Sequence, residues 1–357
     1  MNRLIVSLFF CLLVQQALFA QLDFSNSNAI SSQHLDELDS AIRSGKFERI
    51  TSVLVAKDGK LLFEKYYHGN DQNSKHNTRS ATKTMATLLM GIAIGEGHMK
   101  SEQEKIFKYL KHKLPAQNPD PRKEEITIED LLTMSSILEC NDWNNFSRGN
   151  EERMYIIEDW TSFLLDLPIR SYPFEPKPAD QPYGRAFSYC SAGAAAVAEI
   201  VQVAVGERLD QFAKKHLFGP LEITDYELGY SPEGTLNTAG GSQYRSRDLL
   251  KLGQLCLNEG KWNGQDIIPA DWLKKATTPK ARIQENIDYG YLIWLREYGK
   301  EKSYKTFYMS GNGGQKILVI PGLDTSVVIT TTNYNNRNAH TYTNEIVSDF
   351  IIPAMEK

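Results

Sequence analysis

Strand-like segments stand near both ends of this chain, and they constrain its fold more than any other feature. The first, Thr51 to Tyr67, alternates apolar and polar residues on each side of Asp58-Gly59, a dipeptide typical of a tight hairpin turn. Further strand-like runs close the chain at 305–309, 315–320 and 326–331. The sequence therefore predicts strands at both ends.

The middle of the chain has helical periodicity instead. Apolar residues recur at helical spacing from Ser80 to Gly97, and an apolar, Ala-rich run follows from Ala192 to Val205. Between them, Thr127 and Asp130 have the spacing of a capping box, which predicts the start of another helix. A helical region is therefore expected between the two strand-forming ends.

These two patterns together predict an α+β fold. The economical architecture is one antiparallel sheet built from both chain ends, flanked by helices, with a mainly helical inserted subdomain. We expect the sheet subdomain at about 35–80 and 240–357, and the helical subdomain at about 81–239.

The first twenty residues have the pattern of an export signal. Arg3 precedes an apolar stretch from Leu4 to Val14, and the small residue Ala20 follows it. The stretch is shorter than the ~20 apolar residues of a membrane-spanning helix. We expect residues 1–20 to be a signal peptide, and the protein to be periplasmic or secreted without a stable membrane span. An uncleaved membrane anchor is the alternative.

Charge and cysteine content narrow the function further. The chain has 40 Lys and Arg against 44 Asp and Glu, so it lacks the basic surface of a nucleic-acid-binding protein. After removal of residues 1–20, three of the four cysteines remain, which allow at most one intramolecular disulfide. We take Cys140 with Cys190 as the working hypothesis because both fall close to the candidate site segments.

A candidate nucleophile stands where the first long helix begins. Ser80 and Lys83 are three residues apart, so on a helix they share one face and approach each other. A lysine removes the proton of a serine at neutral pH if burial or positive potential disfavours its ammonium form. The start of a helix also offers free backbone N–H groups to an oxyanion.

A second candidate is Tyr189-Cys190-Ser191, directly before the Ala-rich helix. A tyrosine held near a lysine ammonium can act as base towards the serine and as acid towards a leaving group. The alternative is a core tyrosine followed by a hydroxyl residue that begins the helix.

The third candidate is the glycine-rich segment Ser310 to Gln315, at the start of a predicted strand. Its glycines would let a substrate lie close to the strand, and they would leave an N–H free to face a carbonyl oxygen. A plain turn between two strands is the alternative. No local zinc-binding spacing, nucleotide-binding loop or G-x-S-x-G motif occurs, so no metal or cofactor is expected.

Together and in this order, the three segments resemble the serine β-lactamase and penicillin-binding-protein superfamily. Within it, the chain is similar to the class C β-lactamase-related hydrolases, which include D-aminopeptidases, carboxylesterases and 6-aminohexanoate-dimer hydrolase. The resemblance covers roughly residues 35 to 355 and extends to non-catalytic stretches. These are Asp130-Leu-Leu-Thr-Met134, Ala239-Gly-Gly241, Ser246-Arg-Asp248 and Tyr289-Gly-Tyr291. It implies a β-lactamase/transpeptidase-like fold over residues 21–357.

The resemblance also implies a role for each site residue. Ser80 would be the acylated nucleophile, Lys83 its base and Tyr189 the second proton-transfer residue. The remaining implied residues bind substrate or the oxyanion. Ser191 would hydrogen-bond to Lys83 or substrate, the backbone N–H groups of Ser80 and Gln315 would form the oxyanion hole, and Asn312, Gly313 and Gly314 would line the site.

Asn312 is a departure from that family pattern. β-Lactamases and related peptidases have Lys-Thr-Gly where this chain has Asn312-Gly-Gly314, and a neutral amide cannot replace the lysine charge that helps hold a carboxylate. We therefore expect a serine hydrolase that acts on a small ester, amide or peptide-like substrate. A β-lactamase or D-alanyl-peptide carboxypeptidase is the first alternative, and a non-catalytic ligand-binding member of the fold is the second.

The segment from Cys140 to Pro182 is expected to shape the pocket. Its aromatic residues, Trp143, Trp160, Tyr172 and Phe174, would either line an apolar acyl site or pack in the core.

Overall fold

The computed structural model describes residues 22–25, 32–115, 117–171 and 177–356. The expected signal peptide lies outside these residues. The strands are β1 (Ile50–Lys57), β2 (Lys60–Tyr66), β3 (Lys75–Asn77), β4 (Tyr226–Glu227), β5 (Gln243–Arg245), β6 (Lys261–Trp262), β7 (Gln265–Asp266), β8 (Ala281–Gln284), β9 (Ile287–Tyr289), β10 (Trp294–Tyr298), β11 (Tyr304–Gly311), β12 (Gln315–Ile320) and β13 (Thr325–Thr331).

Most of the helices lie between β2 and β8 in the sequence, and the others lie near the two chain ends. They are α1 (Gln33–Arg43), α2 (Lys83–Gly95), α3 (Ile128–Leu132), α4 (Glu151–Met154), α5 (Trp160–Asp166), α6 (Ser191–Val205), α7 (Leu209–Ala213), α8 (Ser246–Leu257), α9 (Ala270–Ala276), α10 (Ala339–Glu345) and α11 (Ile352–Met355). A π-helical turn, Ile346–Ile351, joins α10 to α11. Thr127 caps α3 in a full capping box with Asp130, as predicted.

The main sheet joins the two ends of the chain. Its strand order is β2-β1-β13-β12-β11-β10-β9-β8, and neighbouring strands run antiparallel. The two chain ends meet where β1 pairs with β13, and Val55 lies opposite Val327 there. The predicted fold class is confirmed, whereas the subdomain boundaries stay a prediction.

The hairpin between β1 and β2 follows directly from its turn residues. Asp58 and Gly59 both have positive φ angles, of 50° and 70°, as a two-residue turn that matches the twist of the strands requires. The predicted hairpin is therefore confirmed. At the other end of the chain, β11, β12 and β13 lie where the strand-like runs predicted strands.

Helices cover both faces of the sheet, and each face has its own apolar core. On one face, α8 lies across β12 and β13, and the larger core continues into α2 and α6. On the other face, α1 packs with the π-helical turn and α11. The Ala-rich α6 is buried over most of its length, which explains why it is apolar on all sides. No helix in the described part of the chain has the length and apolarity needed to cross a bilayer.

Candidate active site

Ser80 lies in a short 3₁₀ turn, Arg79–Thr82, which leads directly into α2. The residue before it, Arg79, has a φ of 50°, in a region that non-glycine residues rarely adopt. The side chain of Asn77 accepts a hydrogen bond from the Arg79 N–H at 2.9 Å and helps to hold this conformation. A strained residue directly before an accessible serine hydroxyl is typical of a functional position.

Lys83 lies one turn after Ser80, as the spacing predicts. Its Nζ donates to Ser80 Oγ at 3.1 Å and to the backbone carbonyl of Ala239. The side chain is only 1% exposed. Burial lowers the pKa of Lys83, while the nearby charges of Glu151 and Asp142 raise it and limit the fall. The environment therefore favours a neutral amine more than water does.

Tyr189 completes this group from the segment before α6. Its ring centroid lies 5.1 Å from Lys83 Nζ. Burial raises the pKa of Tyr189, although a hydrogen bond with Ser80 opposes the rise. The phenol is therefore neutral at neutral pH and suited to donate a proton. Trp143 stacks on its outer face at 5.3 Å with an interplanar angle of 6°.

A disulfide and a backbone hydrogen bond join the segment that contains Tyr189 to the segment that contains Cys140 and Asp142. Cys140 and Cys190 are bonded, with their Cα atoms 5.3 Å apart, so the proposed pairing is confirmed. The backbone N–H of Asp142 also donates to the Tyr189 carbonyl at 2.8 Å. The two segments are therefore held together at the site, while Cys256 is a buried free thiol.

Two carboxylates that the sequence did not single out surround Ser191. Asp142 Oδ2 accepts from the Ser191 N–H, and Glu151 Oε2 accepts from its hydroxyl, both at 2.7 Å. The hydroxyl of Ser191 is therefore bonded to Glu151 and not to Lys83, while the alternative bond to substrate stays a prediction. Burial raises the pKa of Asp142 to about 6, while the positive charge of Lys83 opposes the rise.

The glycine-rich segment forms the hairpin between β11 and β12. Gly311 packs against the turn that carries Ser80 so closely that a Cβ there would lie 2.1 Å from the Thr78 carbonyl oxygen. Strand β10 pairs with β11 only as far as Tyr308, so in the described sheet the end of β11 has an open edge beside Ser80. This edge can accept an extended substrate.

The expected turn residues take different positions around this hairpin. Asn312 and Gly313 line the cavity, and the Asn312 amide is bonded to Asn335 through both its nitrogen and its oxygen. Gly314, with a φ of +86°, packs against the backbone of Ala339. Its close packing and positive φ both require glycine.

Gln315 is not among the residues that line the cavity. It lies on β12, opposite Gly311, and its side-chain amide is bonded to the backbone of Thr331. Because the glycine-rich segment is a turn between two strands, it places Gln315 one strand farther from Ser80. The role of the Gln315 N–H as an oxyanion donor stays a prediction, and the open edge at Ser310 and Gly311 offers a second candidate.

These elements enclose a cavity of about 430 Å³. Its helical side contains Asp142, Glu151 and Tyr189, and Ser80 lies at its wall. Its sheet side is formed by residues from β10, the β11–β12 hairpin and α10. They include Trp294, Arg296, Tyr308, Ser310, Lys316, His340 and Asn344.

The basic residues on the sheet side change one sequence-based expectation. Because Asn312 is neutral, the sequence predicted that the site lacks a cation that could bind a carboxylate. Lys316 and Arg296, however, line the same cavity from other positions. Arg296 comes from β10, whose alignment with the hairpin could not be deduced from a local motif, whereas Lys316 directly follows Gln315 on β12.

The aromatic residues of the Cys140 to Pro182 segment were expected either to line the site or to pack in the core, and both cases occur. Trp143 lines the cavity and is 59% exposed, whereas Trp160 is buried in the core. Tyr172 and Phe174 lie outside the described residues. Across the described ranges, no cluster of three His, Cys, Asp or Glu side chains could hold a metal ion.

Comparisons with known proteins agree with this fold. A family model described as Beta-lactamase matches residues 40–348. The chain is 21% identical over 232 residues to the 6-aminohexanoate-dimer hydrolase of Paenarthrobacter ureafaciens, an alignment that covers 65% of this chain and 58% of that protein. The chain thus spans somewhat more than half the length of this curated relative.

Solved structures extend the similarity over nearly the whole chain. A Bacillus anthracis protein proposed to be a 6-aminohexanoate-dimer hydrolase superposes with a TM-score of 0.70 at 17% identity, covering 95% of this chain and 88% of that one. A D-stereospecific amidohydrolase from a Streptomyces species superposes with a TM-score of 0.66 at 14% identity, covering 88% and 98%.

The family match and the fold place the chain in the serine β-lactamase and penicillin-binding-protein-like superfamily. The chain belongs to the Beta-lactamase family.

Proposed function

We propose that this protein hydrolyses ester or amide bonds of small substrates through an acyl-enzyme on Ser80. The observation that carries the proposal is the 3.1 Å contact between Ser80 Oγ and the buried Nζ of Lys83, beneath the ring of Tyr189. The names of its relatives, a dimer hydrolase and an amidohydrolase, support amide or related acyl-transfer chemistry.

In the proposed first step, the neutral Lys83 amine takes the proton of the Ser80 hydroxyl while Oγ bonds to the substrate carbonyl carbon. The carbonyl oxygen becomes an oxyanion. Ser80 lies in the first turn of a helix, where backbone N–H groups lack intrahelical acceptors, so its N–H is one expected donor. The open edge at Ser310 and Gly311 supplies the second. Each such donor is typically worth ~2.7–4 kcal/mol of the barrier.

The second half of the reaction uses the same groups. Tyr189 gives its proton to the leaving oxygen or nitrogen as the scissile bond breaks, and it regains a proton from the Lys83 ammonium. Water then attacks the carbonyl carbon of the acyl-Ser80 ester and gives a proton to Lys83, which passes a proton to Ser80 Oγ as the ester bond breaks. This step releases the acid and restores the serine hydroxyl.

The test is covalent labelling combined with turnover. Wild-type protein and the Ser80→Ala variant are treated with a fluorophosphonate probe and analysed by peptide mass spectrometry. Both are then assayed on p-nitrophenyl esters, aminoacyl p-nitroanilides and a cephalosporin. We expect an adduct on Ser80 only, and a fall in kcat of about 10⁴-fold or more in the variant.

The matched control is Ser303→Ala, which removes an exposed serine whose hydroxyl bonds to Glu297 outside the cavity. It should label and turn over like wild type. Equal labelling of wild type and Ser80→Ala would contradict the assignment of the nucleophile. The absence of any adduct would favour the non-catalytic alternative, and a preference for the cephalosporin would favour a β-lactamase.

We also infer that the protein is exported after removal of residues 1–20. The arginine, apolar stretch and small residues at the start of the sequence support this inference. Peptide sequencing of protein recovered from the periplasm or medium should find Gln21 at its N-terminus.

A further inference from the structure

Lys316 is a buried cation in an otherwise apolar strand. It is 1% exposed, and its Nζ donates to the Tyr298 hydroxyl at 2.8 Å and to Asn344 Oδ1 at 2.6 Å. These bonds use two of the three N–H groups of an ammonium. The rings of Tyr308 and Tyr298 flank Nζ at 4.6 and 5.3 Å, which favours a positive charge there.

Two further basic groups line the same part of the cavity. The Arg296 guanidinium lies 4.9 Å from the Tyr298 ring, and His340 projects from α10. Burial, and to a smaller extent the charge of Arg296, lower the pKa of Lys316 to about 7. Burial and the charge of Lys316 lower the pKa of His340 to about 4. Arg296 therefore disfavours the charged form of Lys316, and Lys316 disfavours that of His340.

No carboxylate in the described part of the chain is paired with Lys316 or Arg296. Among the described residues, neither Lys316 nor Arg296 is within salt-bridge distance of an Asp or Glu side chain, although many other basic residues in the chain form such pairs. The carboxylates that line this cavity, Asp142 and Glu151, act on Lys83 at the helical side. Buried like charges without a counter-ion are costly, so an anionic ligand group at this position would relieve an existing repulsion.

A carboxylate fits the donors that the sheet side offers. The remaining N–H of Lys316 supplies one charged donor, and Arg296 supplies a planar fork that matches two carboxylate oxygens. Ser310 lies opposite Lys316 in the β11–β12 pairing, so this basic cluster adjoins the open strand edge beside Ser80.

We propose that Lys316 and Arg296 form a carboxylate-binding subsite, and that the preferred substrates of this hydrolase carry a carboxylate in the acyl or the leaving part. This inference rests on the proposed function, because it assumes that the same cavity holds the scissile bond. In this subsite, cations from β10 and β12 would take the role that the resemblance gives to the family's lysine at the position of Asn312.

The test compares substrates that differ only in charge. The p-nitrophenyl monoester of adipate is paired with p-nitrophenyl hexanoate for the acyl side. For the leaving side, 4-acetoxybenzoate is paired with its methyl ester. Wild type should prefer the charged member of at least one pair. In Lys316→Met, the ratio of kcat/KM for the charged to the neutral member should fall at least ~10-fold, the loss expected for one charge-assisted hydrogen bond.

The matched control is Lys305→Met on the same sheet, an exposed lysine opposite Glu297 that does not line this cavity. Its charged-to-neutral ratio should equal that of wild type. Arg296→Gln provides a second test if Lys316→Met does not fold, and it should lower the ratio in the same direction. An unchanged ratio for both pairs in a folded variant would overturn the subsite.

Binding of adipate, measured by calorimetry, separates this inference from the proposed function. If wild type hydrolyses no ester but binds adipate, and Lys316→Met or Arg296→Gln binds it at least ~10-fold more weakly, the subsite stands while the hydrolase assignment fails. If esters are hydrolysed without charge preference and adipate does not bind, the subsite fails and the hydrolase assignment stands.

Discussion

Two buried lysines stand on opposite sides of the cavity, and their neighbours give them different chemistry. Lys83 and Lys316 are each 1% exposed, and burial lowers the pKa of both. Lys83 contacts the Ser80 hydroxyl and is influenced by two carboxylates. Lys316 is bonded to a tyrosine and an asparagine and is influenced by an arginine.

The difference shows that burial alone does not determine the role of a lysine. Burial favours the neutral amine in both cases. Lys83, however, contacts the hydroxyl of Ser80, which lines the cavity where we expect the substrate. The acids near Lys83 stabilise the ammonium that forms once it accepts the serine proton. Lys316 has fixed polar partners and no carboxylate among the described residues, which suits electrostatic binding rather than proton transfer.

Among the substitutions that test this comparison, Lys83→Met should have the largest effect. Removing the base should lower kcat/KM by about 10³-fold for charged and neutral esters alike, because proton removal from Ser80 is common to both. The ratio between the two substrates should stay as in wild type, in contrast to the result expected for Lys316→Met. Steady-state kinetics on the adipate and hexanoate esters measure both quantities.

Lys123→Met is the control for the loss of a buried lysine. Lys123 is also 1% exposed, but its Nζ donates to the Leu165 carbonyl away from the cavity. Its variant should keep wild-type kinetics as long as circular dichroism shows a folded protein. A Lys83→Met variant that changed the substrate ratio instead of the common rate would mean that the two lysines do not have separate roles.

The same comparison explains what the sequence could predict about the site. Ser80 and Lys83 are three residues apart on one helix, so their contact follows from local geometry alone. The neighbours of Lys316 come from β10 and α10, and no local spacing brings them together. The one available signal was a lysine inside the otherwise apolar run of β12, where a charged residue has no structural reason to be.

The fold shows the same division between local and distant information. The hairpin at Asp58-Gly59 and the capping box at Thr127 were predictable because turn and cap chemistry are set by a few adjacent residues. Strands β8 and β9 were missed because they are short and only partly buried, so they lack a clear alternating pattern. The run 315–320 was predictable as a strand, but a glycine-rich segment does not show how closely the residues beside it approach Ser80.

Tyr189→Phe should have the next largest effect. Loss of the phenolic proton should lower kcat about 10²-fold for an alkyl amide, whose nitrogen must be protonated to leave. The loss should be smaller for a p-nitrophenyl ester, because p-nitrophenolate leaves without a proton. Comparing kcat for the two substrates therefore separates a proton donor from a residue that only packs against Lys83.

The control for Tyr189→Phe is Tyr66→Phe, which removes a hydroxyl bonded to Glu64 outside the cavity. It should affect neither substrate. Equal losses on amide and ester in Tyr189→Phe would indicate that Tyr189 positions Lys83 and does not protonate the leaving group.

Glu151→Gln should have the smallest effect, and it tests the acidic environment that distinguishes Lys83 from Lys316. Activity requires neutral Lys83, so the rate rises with pH through the pKa of that lysine. The charge of Glu151 raises this pKa, and removing it should move the ascending limb of the kcat/KM profile to lower pH. Glutamine keeps an oxygen that can accept from Ser191, so the hydrogen bond is preserved while the charge is lost.

Two other features of the helical side bear on this pH profile. Asp142 also faces Lys83, and its pKa is raised to about 6. Its titration therefore contributes to the ascending limb in wild type and in Glu151→Gln alike. Only the shift of the limb between these two proteins reports on Glu151. Glu152→Gln removes the same charge from the next, exposed position of α4 and should leave the limb in place. A limb that stayed fixed or moved to higher pH in folded Glu151→Gln would show that the Lys83 ammonium is not stabilised by this carboxylate, and the two lysines would then differ only in their contacts.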